Sequence, residues 1–242
     1  MNEAGHAKNI ANFANYISIV TTFGTVYKPP TPLIEITLLQ AKLTGFETAK
    51  DSVTPKASAE TIALNERQAV FEPLSDLVTR VANAAAVSVN DQLFSNDLRT
   101  IVRKLKGKRA SGNKVKDDPA TPGIDESKQT VSASQMSFDN RIANFEELID
   151  LLTTSGSYNP NEEVLKLSAL ETMLADLKTK NTAAVNAQNE ARAARINRDQ
   201  TLYNDSDGII ALANLVKKYV KSLFGAQSPQ YRQLTALKFK KP

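Results

Sequence analysis

One segment of this chain occurs twice. Residues 10–24 read IANFANYISIVTTFG and residues 142–156 read IANFEELIDLLTTSG. At an offset of 132 they share eight of fifteen positions: Ile10/Ile142, Ala11/Ala143, Asn12/Asn144, Phe13/Phe145, Ile17/Ile149, Thr21/Thr153, Thr22/Thr154 and Gly24/Gly156. The correspondence continues with Tyr27 and Pro29 over Tyr158 and Pro160, and Leu33, Ile36, Leu39, Leu43 and Phe46 over Val164, Leu167, Leu170, Leu174 and Leu177. Asn65, Gln68 and Phe71 then match Asn197, Gln200 and Tyr203, and VRKLKGKR at 102–109 lies over LTALKFKK at 234–241. A repeat of this length sets the building block of the fold, because each block carries the same apolar stripe and has the same need to bury it. The sequence therefore divides into a first repeat at 1–109, a linker at 110–137 and a second repeat at 138–242.

The pattern within each copy is helical. Ile10, Phe13, Ile17 and Val20 recur at spacings of three and four, as do Ile142, Phe145, Ile149 and Leu152, so each set shares one helix face. Gly24 and Gly156 stand where C-terminal caps are expected, and a proline follows in each copy. Glu162 to Tyr203 contains neither Pro nor Gly, enough for a helix of roughly 60 Å if unbroken. Its run KTKNTAAVNAQNEARAARINRD is polar and Ala-rich, which leaves open a thinly packed helix or one that turns back. The equivalent stretch of the first copy carries Pro55 and Pro73, each of which stops or kinks a helix. Asn204-Asp205-Ser206-Asp207-Gly208 reads as a stop and restart, with Ser206 or Asp207 as N-cap. The next helix, IIALANLVKKYVKSLFG, is strongly amphipathic, with LSDLVTRVANAAAVS as its counterpart. Short helices near 97–106 and 229–239 close the copies. Stripes this narrow cannot be buried within one copy alone. The expected fold is all-α: an elongated helical bundle of roughly six to eight helices, made of two repeated units around a pseudo-two-fold axis and packed as one bundle.

Composition agrees with helix and narrows the chemistry. Ala and Leu are the commonest residues, and Trp is absent. With no cysteine, disulfides, zinc–thiolate sites and cysteine nucleophiles are excluded. His6, the only histidine, has no second histidine with which to share a metal and lies where a frayed terminus is expected. Glu146-Glu147 and Glu162-Glu163 lack the histidines of a di-metal bundle and read as helix-dipole complements. GKRAS at 107–111 and ASGNK at 110–114 lack the spacing of a phosphate loop. No nucleophile, base and orienting group can be assembled, so an enzyme ranks last and no cofactor or metal is expected. The opening MNEAGHAKNIANF has no basic stretch before an apolar run, and no window is apolar enough to span a bilayer. The expectation is a cytoplasmic chain without a transmembrane segment.

Charge supplies the candidate site. Residues 98–116 carry eight Lys or Arg and no acid, and residues 209–242 carry seven and no acid, within a net charge of +4. Helix dipoles and solvated faces account for part of such clustering. The sharper reading is an anion- or partner-binding surface built from Arg103, Lys104, Lys106, Lys108 and Arg109 with Lys217, Lys218, Lys221, Lys238, Lys240 and Lys241. Its ligand would be nucleic-acid phosphate, an anionic membrane or an acidic patch on another copy. The membrane version puts Ile209, Leu212, Val216, Val220 and Leu223 against lipid.

The paired IANF and TT-x-G segments, SASQMSFDNRIANFEELIDLL at 132–152 and KSLFGAQSPQYRQ at 221–233 resemble a group of uncharacterised, internally duplicated helical proteins of Bacteroidetes-type bacteria. That resemblance covers nearly the whole chain. It implies a cytoplasmic bacterial setting and no activity. The function expected from the residues is a structural or interaction protein, a helical scaffold that self-associates or docks a protein partner. The alternatives are a nucleic-acid-binding accessory protein using the two basic ends and a membrane-surface-active helical protein.

Overall fold

The computed structural model of the chain describes residues 3–89, 91–108 and 136–241. Arg109 and nearly all of the 110–137 linker lie outside the described residues. The fold is all-helical, without strands among the described residues. In chain order the helices are α1 (Glu3–Thr21), α2 (Ile36–Asp51), α3 (Val53–Phe71), α4 (Leu74–Ser88), α5 (Gln92–Leu105), α6 (Phe138–Ser155), α7 (Leu167–Tyr203), α8 (Ile209–Phe224) and α9 (Pro229–Ala236). Short 3-10 turns at Gly24–Val26, Pro32–Ile34 and Glu163–Leu165 lie in the connections.

The chain forms two compact units. The first joins Met1–Thr61 to Asn186–Pro242, and the second is Ile62–Val185. These boundaries cut the chain at other places than the sequence segments do, and they fall within α3 and α7. In the first unit, Phe13, Tyr16 and Val20 of α1 share a core with Phe46 of α2, Val216 and Val220 of α8 and Leu234 of α9. In the second, Val78 and Val81 of α4 and Leu98 and Ile101 of α5 share a core with Phe145, Leu148 and Leu152 of α6. The first core joins two distant stretches of the chain, whereas the second is built within the continuous stretch Ile62–Val185. In the first unit the apolar stripe of α1 is covered by the next helix, α2, together with α8 and α9 from far along the chain, which removes a narrow stripe from water.

Local chemistry sets the boundaries. The side chains of Asp91, Ser137 and Ser228 accept hydrogen bonds from the backbone N–H of Leu93, Asn140 and Tyr231, capping α5, α6 and α9. Pro229 occupies the first turn of α9, where its missing N–H costs nothing. Gly156 closes α6 in the left-handed conformation, at φ 63°. Gly24 is also left-handed, but it lies past the end of α1, opening a 3-10 turn. Pro73 precedes α4 as its N-cap, and Pro55 sits in the first turn of α3, so both prolines mark boundaries.

Three local expectations are corrected. The N-cap of α8 is Gly208, not Ser206 or Asp207, and it makes no side-chain cap. Asn204 organises the turn instead, its Oδ1 accepting from the N–H of Ser206 (3.1 Å) and Asp207 (2.7 Å). A Cβ on residue 208 would stand 2.6 Å from the Asn204 carbonyl oxygen, so the turn demands glycine. The N-terminus is not frayed at His6, which lies within α1 and is 2% exposed. The closing helix ends at Ala236, and residues 237–241 run on as a non-helical tail. Between the two forms the sequence leaves open for the long stretch, α7 is one uninterrupted helix of 37 residues. Its fully buried positions Leu170, Leu177, Ala184, Ala191 and Arg198 recur every seven residues. Small Ala side chains hold the seam where a hydrophobicity scan finds none.

Because each core needs both parts of the chain, cutting the chain should not separate them. A protease site placed between residues 109 and 135 of the full-length protein, once cleaved, should leave two fragments that elute together in native size-exclusion chromatography and separate only in denaturant. Elution as two independent species would contradict these cores.

Candidate functional site

The basic candidates fall into two sets, one in each unit, and the structure treats them differently. In the second unit Arg103 and Lys104 occupy the last turn of α5, where cations complement the helix dipole. Lys104 reaches Glu147 of α6 at 3.0 Å, so this set is partly neutralised by its own unit. Lys106 follows as the C-cap, and Lys108 is exposed beyond it.

The first unit holds Lys217, Lys218 and Lys221 on α8 and Lys238, Lys240 and Lys241 on the tail. It carries fifteen Lys or Arg against nine Asp or Glu, whereas the second unit carries fifteen against seventeen. Five of the nine acids are engaged elsewhere. Asp51 pairs with Lys50, Glu60 with Arg195, Glu190 with Lys56, Asp199 with Arg198, and Asp207 with Lys42. Among the described residues, none of the six candidate lysines of this unit is in an ion pair.

The tail is held in place by α1. Tyr16, 1% exposed, donates its hydroxyl to the Leu234 carbonyl at 2.7 Å. One turn earlier Asn12 donates to the Lys238 carbonyl at 2.7 Å, and Asn9 donates to the Lys240 carbonyl at 2.6 Å. The Lys240 N–H returns a bond to Asn9 Oδ1 at 3.3 Å. Residues 9, 12 and 16 lie on one face of α1, so the tail runs antiparallel to that helix. Leu237 and Phe239 pack onto the core while Lys238 and Lys240 stay exposed. The Phe239 ring meets Tyr16 edge-on with centroids 5.1 Å apart. Burial, and secondarily Tyr231, pushes the Tyr16 phenol well above its usual pKa, so it remains a donor at every physiological pH.

Lys217 stands beside this tail. Its ammonium lies 5.8 Å from the ring centroids of both Tyr16 and Phe239. Burial, and then repulsion from Lys238, pulls its pKa below the usual lysine value. The charged form is therefore less comfortable here than in water, and a bound anion would relieve it. A shallow groove next to α9, lined by Asn15, Ser18, Thr22 and Gln233 among others, adds uncharged hydrogen-bonding groups.

A second polar cluster in the same unit escaped the sequence reading. His6 Nδ1 lies 2.9 Å from the Tyr203 hydroxyl, which also accepts from Asn9 at 3.0 Å. His6 Nε2 is 3.9 Å from Asp199 Oδ1, the oxygen that also binds the buried Arg198. These groups tie α1 to α7. Isolated polar residues within a helical stripe carry no signal of a partner some 190 residues away. A shallow hollow bounded by Lys42, Gly45, Phe46, Asn204 and Asp207 is closed on one side by the Lys42–Asp207 pair. Among the described residues no group of three or more His, Asp or Glu could hold a metal, and no helix is long and apolar enough to cross a membrane. Compared with protein-family models, curated proteins and solved structures, the chain matches none.

Two outcomes test this geometry. Tyr16→Phe leaves the Leu234 carbonyl with only the Leu237 N–H as donor and should cost about 1 kcal/mol in chemical denaturation. Amide exchange should rise first in residues 229–241. Lys217→Met keeps the aliphatic stem but removes a desolvated, repelled charge. It should leave the denaturation midpoint equal or higher; because the charged form is disfavoured only in the folded state, any gain should fade as pH rises toward the lysine range. A clear drop in the midpoint at neutral pH would mean that the charge stabilises the fold.

Proposed function

We propose that this chain is a non-enzymatic helical interaction protein, duplicated from one helical unit, that docks an anionic partner on the lysine face formed by α8 and the tail. The observation that carries this reading is that, among the described residues, Lys217, Lys218, Lys221, Lys238, Lys240 and Lys241 make no ion pair, in a unit where Lys42, Lys50, Lys56, Arg195 and Arg198 are matched to acids. Surface charges with no internal partner are available to an external one.

The duplication is supported by the shared IANF segments and by matched local bonds. Tyr27 donates to the Ile34 carbonyl at 2.8 Å, and Tyr158 donates to the Leu165 carbonyl at 2.8 Å, each across seven residues. Buried Leu74, Val78, Val81 and Ala85 of α4 parallel Ile209, Ala213, Val216 and Val220 of α8. On this reading each compact unit takes its opening helix from one copy and its later helices from the other. That exchange makes a rigid support, since neither copy can fold around itself.

The membrane-surface alternative finds less support. It requires Ile209, Leu212, Val216 and Val220, all unexposed, to leave the core of the first unit.

The test is retention on a sulfonate or heparin matrix by the full-length protein. Replacing Lys217, Lys238 and Lys240 by Glu should lower the eluting salt concentration much more than replacing Lys104, Lys106 and Lys108 by Glu, although the net charge change is identical. Equal shifts would show that net charge alone governs retention and would remove the assigned face.

A further inference from the structure

The tail lysines have a geometry that distinguishes among anionic partners. Lys238 and Lys240 alternate with the inward residues Leu237 and Phe239, so their side chains leave the same side of the tail. Two residues of extended chain advance by about 6.8 Å. The backbone bearing these lysines is fixed at both carbonyls by Asn12 and Asn9, so binding need not order it again. Lys217 flanks the row from α8.

The surroundings exclude the usual companions of other anions. The large hydrophobic residues that stand exposed in this unit are Val26, Leu33 and Ile196, and none comes from α8, α9 or the tail. A lipid surface held by lysines alone lacks the inserted apolar anchor of an amphipathic helix. An acidic protein surface needs an apolar interface centre, where lysine is depleted. A nucleic-acid strand needs neither, since it presents a negative charge at each nucleotide along a line and is bound through those charges. On α9, which leads into the tail, the exposed Arg232 and Gln233 and the half-exposed Tyr231 carry hydrogen-bond donors of the kind that contact sugar and phosphate.

We propose that the tail of the first unit, with Lys217, Lys238, Lys240 and Lys241, binds the sugar–phosphate backbone of a nucleic-acid strand without regard to sequence. The inference rests on the anionic-partner reading above and names the partner. With four lysines engaged on a single strand, the logarithm of affinity should fall against the logarithm of salt with a slope of about −3. Between 50 and 200 mM salt that is roughly a fifty-fold loss.

The experiment is fluorescence anisotropy with the full-length protein and a labelled mixed-sequence single-stranded 20-mer, as DNA and as RNA, over that salt range. Poly-glutamate and phosphatidylserine-containing vesicles serve as competing anions. Expected are saturable binding with that slope, similar affinity for unrelated sequences, and a slope reduced by about 0.7 for each of Lys238→Gln and Lys240→Gln. Lys106→Gln in the other unit should leave the slope unchanged. These exposed substitutions are checked for unaltered helicity by circular dichroism. Binding of poly-glutamate or vesicles without the oligonucleotide overturns this inference and leaves the anionic-partner reading standing. Oligonucleotide binding untouched by the tail substitutions also overturns it. Failure to bind any of the three anions removes both.

Discussion

The structure depends on one burial event: the apolar face of α1 is covered by α2 together with helices from the far end of the chain. Phe13 is fully buried, with its ring edge-on to Phe46 at 5.5 Å, and it shares its core with Val216 and Val220. Removing a side chain of this kind from a packed core costs about 3–5 kcal/mol, a large part of the stability of an ordinary domain. Phe145 has the same role in the second unit, beside Val78 and Leu98. Once these faces require distant partners, chain order and spatial order must diverge. Every later feature of the first unit follows, including the position of the tail, since α8 and α9 are placed by the same contact.

Polar groups then decide what the apolar core leaves free. At the start of α1, His6, Asn9 and Tyr203 form a hydrogen-bonded corner. The corresponding corner of the second unit uses Phe138, Arg141 and Phe71. There the Phe71 and Phe138 rings meet edge-on at 4.8 Å, and the Arg67 guanidinium lies 4.0 Å over Phe138. Arg141 donates to the Phe71 carbonyl at 2.9 Å. An aromatic–cation stack and a histidine–tyrosine network hold similar helix junctions by different chemistry. Asn9 is short enough to hold the tail by both its amide groups.

Much of this was legible in the sequence, for a physical reason. Stripes such as Ile10, Phe13, Ile17 and Val20 follow the helical period, and Gly156 and Pro229 have conformational preferences strong enough to act locally. The stops near Pro55 and Pro73 were legible in the same way. What was not legible is non-local or weak in hydrophobicity. The seven-residue seam of α7 rests on Ala184, Ala191 and Arg198, which carry little apolar signal. His6 looked like part of a loose end because its partner Tyr203 lies 197 residues away. The N-cap of α8 was misread because Ser206 and Asp207 are good capping residues, while the steric demand at Gly208 comes from carbonyls visible only in three dimensions. The basic clusters were plain in the sequence, but which of them is neutralised depends on Glu147 lying beside Lys104.

That difference between paired and unpaired lysines is the last step. Lys42, Lys56 and Lys180 each meet a carboxylate within their own unit, and exposed pairs of this kind contribute little to stability. Their effect is to quench local potential. Lys217 and the tail lysines have no such quenching, and Lys217 is held partly out of water beside another cation. A fold selected for stability alone would gain by replacing it with an apolar residue, because nothing in the core requires its charge. Retaining an uncomfortable charge on a backbone fixed by Asn9, Asn12 and Tyr16 is the arrangement expected where stability is traded for binding. The α1–tail contact and the unmatched lysines are thus linked in one place: Asn9 and Asn12 hold the backbone that carries Lys238 and Lys240, and Lys217 stands beside it.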